Sequence, residues 1–216
     1  MSDGPRGSGG ETDWLAWHTS YADSGSSLAR RLAVVRRRIG ATLDAATGPV
    51  RILSLCAGDG RDLLPELAER PRLTATATLV ELDPQLAASA SQQGPPVRGI
   101  DVRRGDAGDV STYADVLPVD LLLLCGIFGN VSTADIQRTV AAVPAMLADG
   151  GTVIWTRGWF GDEDLRPTIR RWFVDAGLTE VAFDGPPERF GVGVARVGAR
   201  DRHPSVVDGL LFRFVR

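Results

Sequence analysis

An apolar run, Arg51 to Cys56, that breaks at once into Ala57-Gly58-Asp59-Gly60 constrains the fold of this chain more than any other feature. It reads as a buried strand ending in a turn where side chains must be small. The turn feeds a helix beginning near Asp62, and helix N-termini present free backbone N–H groups. A second apolar run, Leu79-Val80-Glu81-Leu82, places Glu81 about twenty residues on, the distance at which an α/β nucleotide fold sets an acid for ribose hydroxyls. A glycine-lined cradle and a ribose-reading carboxylate together imply an adenosine-type cofactor.

The rest of the pattern fits that unit. Asp13 to Ile39 reads as a helix, with Leu28, Leu32, Val35 and Ile39 recurring at three and four. Its arginines, Arg30, Arg31 and Arg36 to Arg38, read as a solvated face ahead of a binding patch. Strands are expected at 50–56, 74–82, 97–103, 119–125 and 152–156. Helices are expected at 62–69, 84–91, 133–148 and 164–176, with Ser132 or Thr133 capping the third of these. A further segment spans 111–116, and Gly150-Gly151 is expected to stop the third helix. Three closing strands are expected at 178–183, 191–197 and 210–215, and strands without intervening helices imply an antiparallel edge. The class is therefore α/β: a Rossmann-like, seven-stranded, mostly parallel sheet with helices on both faces and an antiparallel edge hairpin. The expected divisions are a polar, glycine-rich tail over 1–13, an N-terminal helical cap over 14–48 and a single domain over 49–216.

Composition narrows the chemistry. With 216 residues, 44% of them hydrophobic, the chain suits one domain with a sizeable core. No stretch approaches the roughly 18 apolar residues of a membrane span, and the start lacks the order of a signal peptide, so a cytoplasmic protein is expected. A net charge of −3 argues against a nucleic-acid platform. The sequence contains no lysine. That excludes Schiff-base and pyridoxal-phosphate enzymes of the usual kind and P-loop proteins, all of which need a lysine amine. Cys56 and Cys125 each end an apolar run and read as reduced, buried thiols, and no Cys/His cluster has metal-ligand spacing.

The segment Leu53 to Asp62, Val80 to Pro84, Gly105-Asp106-Ala107-Gly108 and Leu147 to Thr152 stand in the order and spacing of the motifs of class I S-adenosylmethionine-dependent methyltransferases, which the chain resembles from about Val50 onward. The stretch Cys125 to Val131, with Trp155-Thr156-Arg157, is further similar to a bacterial subgroup of that family. The resemblance implies S-adenosylmethionine as cofactor. It implies backbone at Ala57, Gly58 and Gly60 against the methionine and ribose portion, and Glu81 on both ribose hydroxyls. It further implies Leu82 packed on the adenine, Asp106 on the adenine amino group with the Ala107 backbone beside it, and Cys125 and Gly126 beside the sulfonium. Two positions depart from the pattern. Ser54 stands where the family has an acid and Cys56 where it has a glycine, so Asp59, Asp62 or an arginine-supported network would have to hold the cofactor amine. In the family's strand order Cys56 and Cys125 end neighbouring strands and are expected close together.

Acceptor-side candidates lie outside this core. Trp14, Trp17, His18 and Tyr21 share one helical face, where His18 or Tyr21 would serve as base or orienting group and the two tryptophans would bind substrate. Packing of the helix is the competing reading. Asn130 either caps the next helix or orients substrate. Arg157 and Trp159 follow the fifth strand, where the arginine either holds a substrate carboxylate or pairs at the surface, and His203 sits in a polar loop. The favoured function is methyl transfer to a small molecule, in specialised metabolism, by a monomer or homodimer with neither nucleic acid nor membrane as partner. Two alternatives stand beside it: another use of the same cofactor, such as cyclisation giving methylthioadenosine, and a nicotinamide oxidoreductase. The latter is disfavoured because the turn lacks the three-glycine spacing for a pyrophosphate.

Overall fold

Alternation of apolar residues along the strands decides the architecture, because it gives each strand two faces to bury. In the computed structural model, which describes residues 25–93, 99–159, 163–198 and 207–215, Leu53, Leu55, Leu122, Leu124 and Trp155 pack to one side of a sheet. Ile52, Leu121, Leu123 and Ile154 pack to the other. The sheet has seven strands: β1 (Val50–Leu55), β2 (Ala75–Glu81), β3 (Ile100–Arg104), β4 (Val119–Leu124), β5 (Leu147–Gly158), β6 (Leu178–Asp184) and β7 (Phe190–Val197). Their order is β3-β2-β1-β4-β5-β7-β6. Strands β1 to β5 pair in parallel, and β7 runs antiparallel between β5 and β6.

Helices α1 (Ser27–Asp44), α2 (Leu64–Ala68) and α3 (Pro84–Gln93) cover one face; α4 (Thr133–Met146) and α5 (Arg166–Asp175) cover the other. Helix α1 begins where the Ser26 hydroxyl accepts from the Ala29 N–H at 3.0 Å. It buries Val35, Ile39 and Leu43, one turn apart. It runs one turn past the Ile39 expected from sequence, and the expected start at Asp13 lies outside the described residues. Its arginines are more than a solvated face. Arg30 pairs with Glu188, Arg36 with Glu66, and Arg37 and Arg38 with Asp184. Exposed pairs contribute only about 0–1 kcal/mol each; here they set how the helix lies on the sheet.

Three expectations change. Segment 111–116 forms two 3-10 turns, Val110–Thr112 and Ala114–Val116. Helix α4 ends at Met146, and Leu147 already pairs with Val119 in β5, so Gly150 and Gly151 sit in an irregular start of the strand rather than at a helix stop. The last expected strand, 210–215, is no sheet strand. It makes isolated bridges from Leu210 to Asp109 and from Phe214 to Val131. Leu211 and Phe212 are buried, while the Leu211 N–H donates to Gly108 O and the Val215 N–H to Asn130 O, both at 2.8 Å. The segment is apolar, but it lies across the loops that follow β3 and β4 instead of joining a sheet edge.

Trp155 fills the core beneath α5, stacked on Phe173 at 5.6 Å between ring centroids. Its direct partner across the β5–β7 ladder is Gly193, and a Cβ there would be driven into the indole ring. We predict that Gly193→Ala destabilises the protein by about 1–3 kcal/mol, as overpacking of a filled core does. Urea unfolding checks this, and an unchanged midpoint would contradict the packing.

Candidate cofactor site

The chain leaves β1, passes outward to β2 and β3, then returns to form β4 on the other side of β1. At such a reversal the loops beyond the strand ends diverge and leave a crevice at the carboxyl edge of the sheet. The turn after β1 lies on that edge. Its backbone enters the left-handed region at Cys56 (φ 55°), Gly58 (φ 60°) and Gly60 (φ 75°). Cys56 is the one non-glycine residue of positive φ among the described residues, where an L side chain is strained. A Cβ on Gly60 would stand 2.6 Å from a Leu64 methyl carbon. Thus one glycine serves the close approach of α2 to the turn.

The left-handed turn also separates the two thiols. By alternation Cys56 would face the α1–α3 side, but it packs into the α4–α5 core, while Cys125 packs on the α1–α3 side. Though they follow neighbouring strands, their side chains go to opposite faces. Burial pushes both thiols well above their ordinary range. The next cause is the Glu81 charge for Cys56 and the Asp62 charge for Cys125.

Glu81, the last residue of β2, is buried and reaches back to this turn. Its carboxylate accepts from the Gly58 N–H at 2.7 Å and, through the other oxygen, from the Asp83 N–H at 2.9 Å. Burial pushes its carboxyl above the usual range, and those N–H groups pull it back. An ionised carboxylate has about four acceptor sites, so both oxygens retain capacity for further donors. Beside it, Leu82 is 65% exposed, an apolar side chain laid open at the strand end.

The loop after β3 closes the same side. The Gly105 N–H donates to Glu81 O at 3.0 Å, and the Asp106 carboxylate accepts from the Gly108 N–H at 2.8 Å, an Asx turn. Ala107 is buried beneath. On the opposite side, Gly126 (φ 81°) follows Cys125 with nothing within 4 Å of where its Cβ would be. Its N–H donates to Thr156 Oγ1 at 2.9 Å, and its carbonyl accepts from the Asn130 side-chain amide at 2.7 Å. The capping alternative for Asn130 falls to Ser132, whose hydroxyl accepts from the Asp135 N–H. Arg157 donates to Phe128 O at 2.7 Å. Trp159 carries the guanidinium groups of Arg166 and Arg189 over its ring at 5.2 and 5.5 Å. Trp14, Trp17, His18, Tyr21 and His203 lie outside the described residues. Thr156 went unnoticed as a site residue, although the pairing of Leu124 with Trp155 places it beside Cys125.

The three carboxylates nearest the turn differ in their freedom. Glu81 is tied to backbone. Asp59 is held by Arg61, with Nε on Oδ1 at 2.8 Å and Nη2 on Oδ2 at 2.5 Å. Asp62 keeps Oδ1 shielded from solvent with no hydrogen-bond partner among the described residues. Burial pushes its carboxyl up to about 6, against the pull of its own and the Leu63 N–H. Among the described residues no group of His, Cys, Asp or Glu side chains could hold a metal ion, and no helix is long and apolar enough to cross a membrane.

The raised Asp62 value has a sign. The folded chain binds this proton more tightly than the unfolded chain, so stability falls as pH rises from 3.8 through about 6. We predict that Asp62→Asn, which cannot ionise, stabilises the ligand-free protein by at most about 3 kcal/mol at pH 8, at 1.36 kcal/mol per unit. The gain disappears below pH ~4. Thermal unfolding across that range checks both the size and the pH dependence.

The sequence matches no family model and no curated protein, but solved structures match the fold. A magnesium protoporphyrin IX methyltransferase from Synechocystis with bound S-adenosylmethionine superposes with a TM-score of 0.65 at 11% identity, over 87% of this chain and 92% of that one. An O-methyltransferase family protein from Burkholderia thailandensis gives 0.64 at 13% identity, over 86% of this chain and 59% of that one. An O-methyltransferase family 2 protein from Planctomyces limnophilus, in complex with apigenin, gives 0.57 at 18%, over 79% and 59%. The chain thus spans less than two thirds of the length of the latter two. At these identities the likeness is one of fold: the chain has the class I S-adenosylmethionine-dependent methyltransferase fold.

Proposed function

We propose that this chain is an S-adenosylmethionine-dependent methyltransferase acting on a small molecule. The observation that carries the reading is the Glu81 carboxylate, buried at the crevice and hydrogen-bonded to the Gly58 N–H of the turn, with Leu82 open beside it. These residues fit an adenosyl group. Glu81 has acceptor capacity for two ribose hydroxyls, Leu82 offers an apolar surface for the adenine, and the loop at Asp106 and Ala107 borders that surface. Gly58 keeps the turn free of a side chain where the sugar and the amino-acid arm would pass, and Gly60 lets α2 pack close against that turn. When bound, the cofactor supplies an electrophilic methyl group on a sulfonium, whose departure needs little help.

The protein's work is then alignment and exclusion of water. On this reading an acceptor would approach at Gly126, where a side chain would meet nothing within 4 Å. The Thr156 hydroxyl and the Asn130 amide fix that backbone through the Gly126 N–H and carbonyl. Arg157 steadies the loop through Phe128 O, and Trp159, with Arg166 and Arg189 over its ring, stays a proposal for substrate binding. His18 and Tyr21 stay proposals for base or orienting group.

A small acceptor, drawn from specialised metabolism, is supported by how the basic side chains are spent. Four arginines of α1, Arg30, Arg36, Arg37 and Arg38, are bound to carboxylates, which removes the unpaired basic stripe that phosphate backbones need. The Planctomyces protein's apigenin complex supports the same acceptor class.

We predict that the wild-type protein converts S-adenosylmethionine to S-adenosylhomocysteine when its acceptor is present; methylthioadenosine as the product would instead indicate cyclisation of the methionine arm. We also predict that Glu81→Gln weakens S-adenosylmethionine binding at least about tenfold in equilibrium dialysis, since charge-assisted bonds contribute roughly 1.5–3 kcal/mol each. Unchanged affinity would remove Glu81 from the site.

A further inference from the structure

A carboxylate oxygen sealed from solvent with no bond made to it is costly once ionised, and a cation is the partner that relieves it most. Asp62 Oδ1 is such an atom. It stands two residues beyond Gly60, in the turn after β1, the neighbour of β4 in the sheet, and its charge acts on the Cys125 thiol that follows β4. Glu81 and Leu82 lie on the other side of β1, at the end of β2. A ligand whose sugar rests on Glu81 and which crosses the turn toward Gly126 brings its far arm to Asp62.

Other anions that could meet that arm are unsuitable. Ser54, within β1, is buried and cannot carry charge. Asp59 is held by two nitrogens of Arg61. Cys125 stays a thiol because burial and the Asp62 charge both oppose its ionisation. We infer that Asp62 is the anionic partner of the cofactor's α-ammonium group, the role left open by the serine at position 54. This rests on the proposed S-adenosylmethionine site and names the residue that recognises the cofactor's amino-acid arm.

The assignment has a chemical signature, because S-adenosylhomocysteine carries the ammonium and methylthioadenosine lacks the whole arm. Calorimetric titration of both ligands into wild type and Asp62→Asn at pH 7.5 (a condition chosen roughly one and a half units above the carboxyl, so that about nine tenths or more is ionised) separates them. The variant should lose roughly 10- to 100-fold in affinity for S-adenosylhomocysteine, while methylthioadenosine binds within about twofold of wild type. Wild type alone supplies a second readout: between pH 5 and pH 8 its affinity for S-adenosylhomocysteine should rise about tenfold more than its affinity for methylthioadenosine, because Glu81, whose carboxyl is also pushed up, serves both ligands alike. The charged and titratable groups facing Asp62 are Asp59 and Arg61, paired with each other, and the Cys125 thiol, with Arg31 of α1 acting on that thiol.

Equal loss for both ligands, or no loss for either, overturns the assignment. So does a variant that weakens S-adenosylmethionine while sparing S-adenosylhomocysteine, which would put the carboxylate on the sulfonium instead. Failure of wild type to bind either ligand would overturn the adenosyl site itself and this assignment with it.

Discussion

The Glu81 carboxylate holds two strand ends together. It sits at the end of β2, takes the Gly58 N–H of the turn after β1 on one oxygen, and takes the Asp83 N–H on the other. A buried carboxylate without such donors would be expensive, and in a turn running through φ 55° at Cys56, 60° at Gly58 and 75° at Gly60 the Gly58 N–H finds its partner in that carboxylate. Each feature makes the other tenable. The same residue's carbonyl accepts from Gly105 N–H, which ties in the loop after β3. Three loops at the carboxyl edge are therefore set relative to one residue, two through its side chain and one through its backbone, before any ligand arrives.

The C-terminal segment completes this edge from outside. Residues 209–215 cross from the loop at Gly108 to the loop at Asn130, with Leu211 and Phe212 buried beneath. The loop beside Leu82 and the loop beside Gly126 are the two that border the proposed adenine and acceptor regions, and one strap fastens both. Gly108 permits it, since a Cβ there would be driven into the Phe212 carbonyl. Ion pairs do the corresponding job for α1, where four arginines reach carboxylates on α2 and on the β6 and β7 side.

Much of the fold was legible because it rests on short-range signals. Apolar runs, the Gly-rich turn after β1 and strand–helix alternation identified the parallel sheet, and closing strands without intervening helices its antiparallel edge. The strand at 210–215 was misassigned for a physical reason: an apolar run shows that a segment packs on something, not that it pairs with a sheet. At the site, features that depend on backbone geometry were readable from spacing: the tight turn through Gly58 and Gly60 and the acid at the end of β2, Glu81. Residues whose role depends on who else is nearby were not. Asp59 and Asp62 are both acids of the same turn, yet one is taken by Arg61 and the other keeps an unbonded oxygen. Thr156 became visible only through the register of β4 against β5. The expected closeness of the two thiols failed because a left-handed residue at Cys56 sends its side chain to the opposite face.

The central claim is that this pre-set edge holds an adenosyl ligand through its sugar. Amide hydrogen exchange of the wild-type protein with and without S-adenosylhomocysteine tests it most directly, because the bonded amides can be read one by one. Saturating ligand should slow exchange at Gly58, Asp83 and Gly105, the N–H groups that lean on Glu81, and leave β6 unchanged. Identical exchange at those three amides with and without ligand would contradict the account.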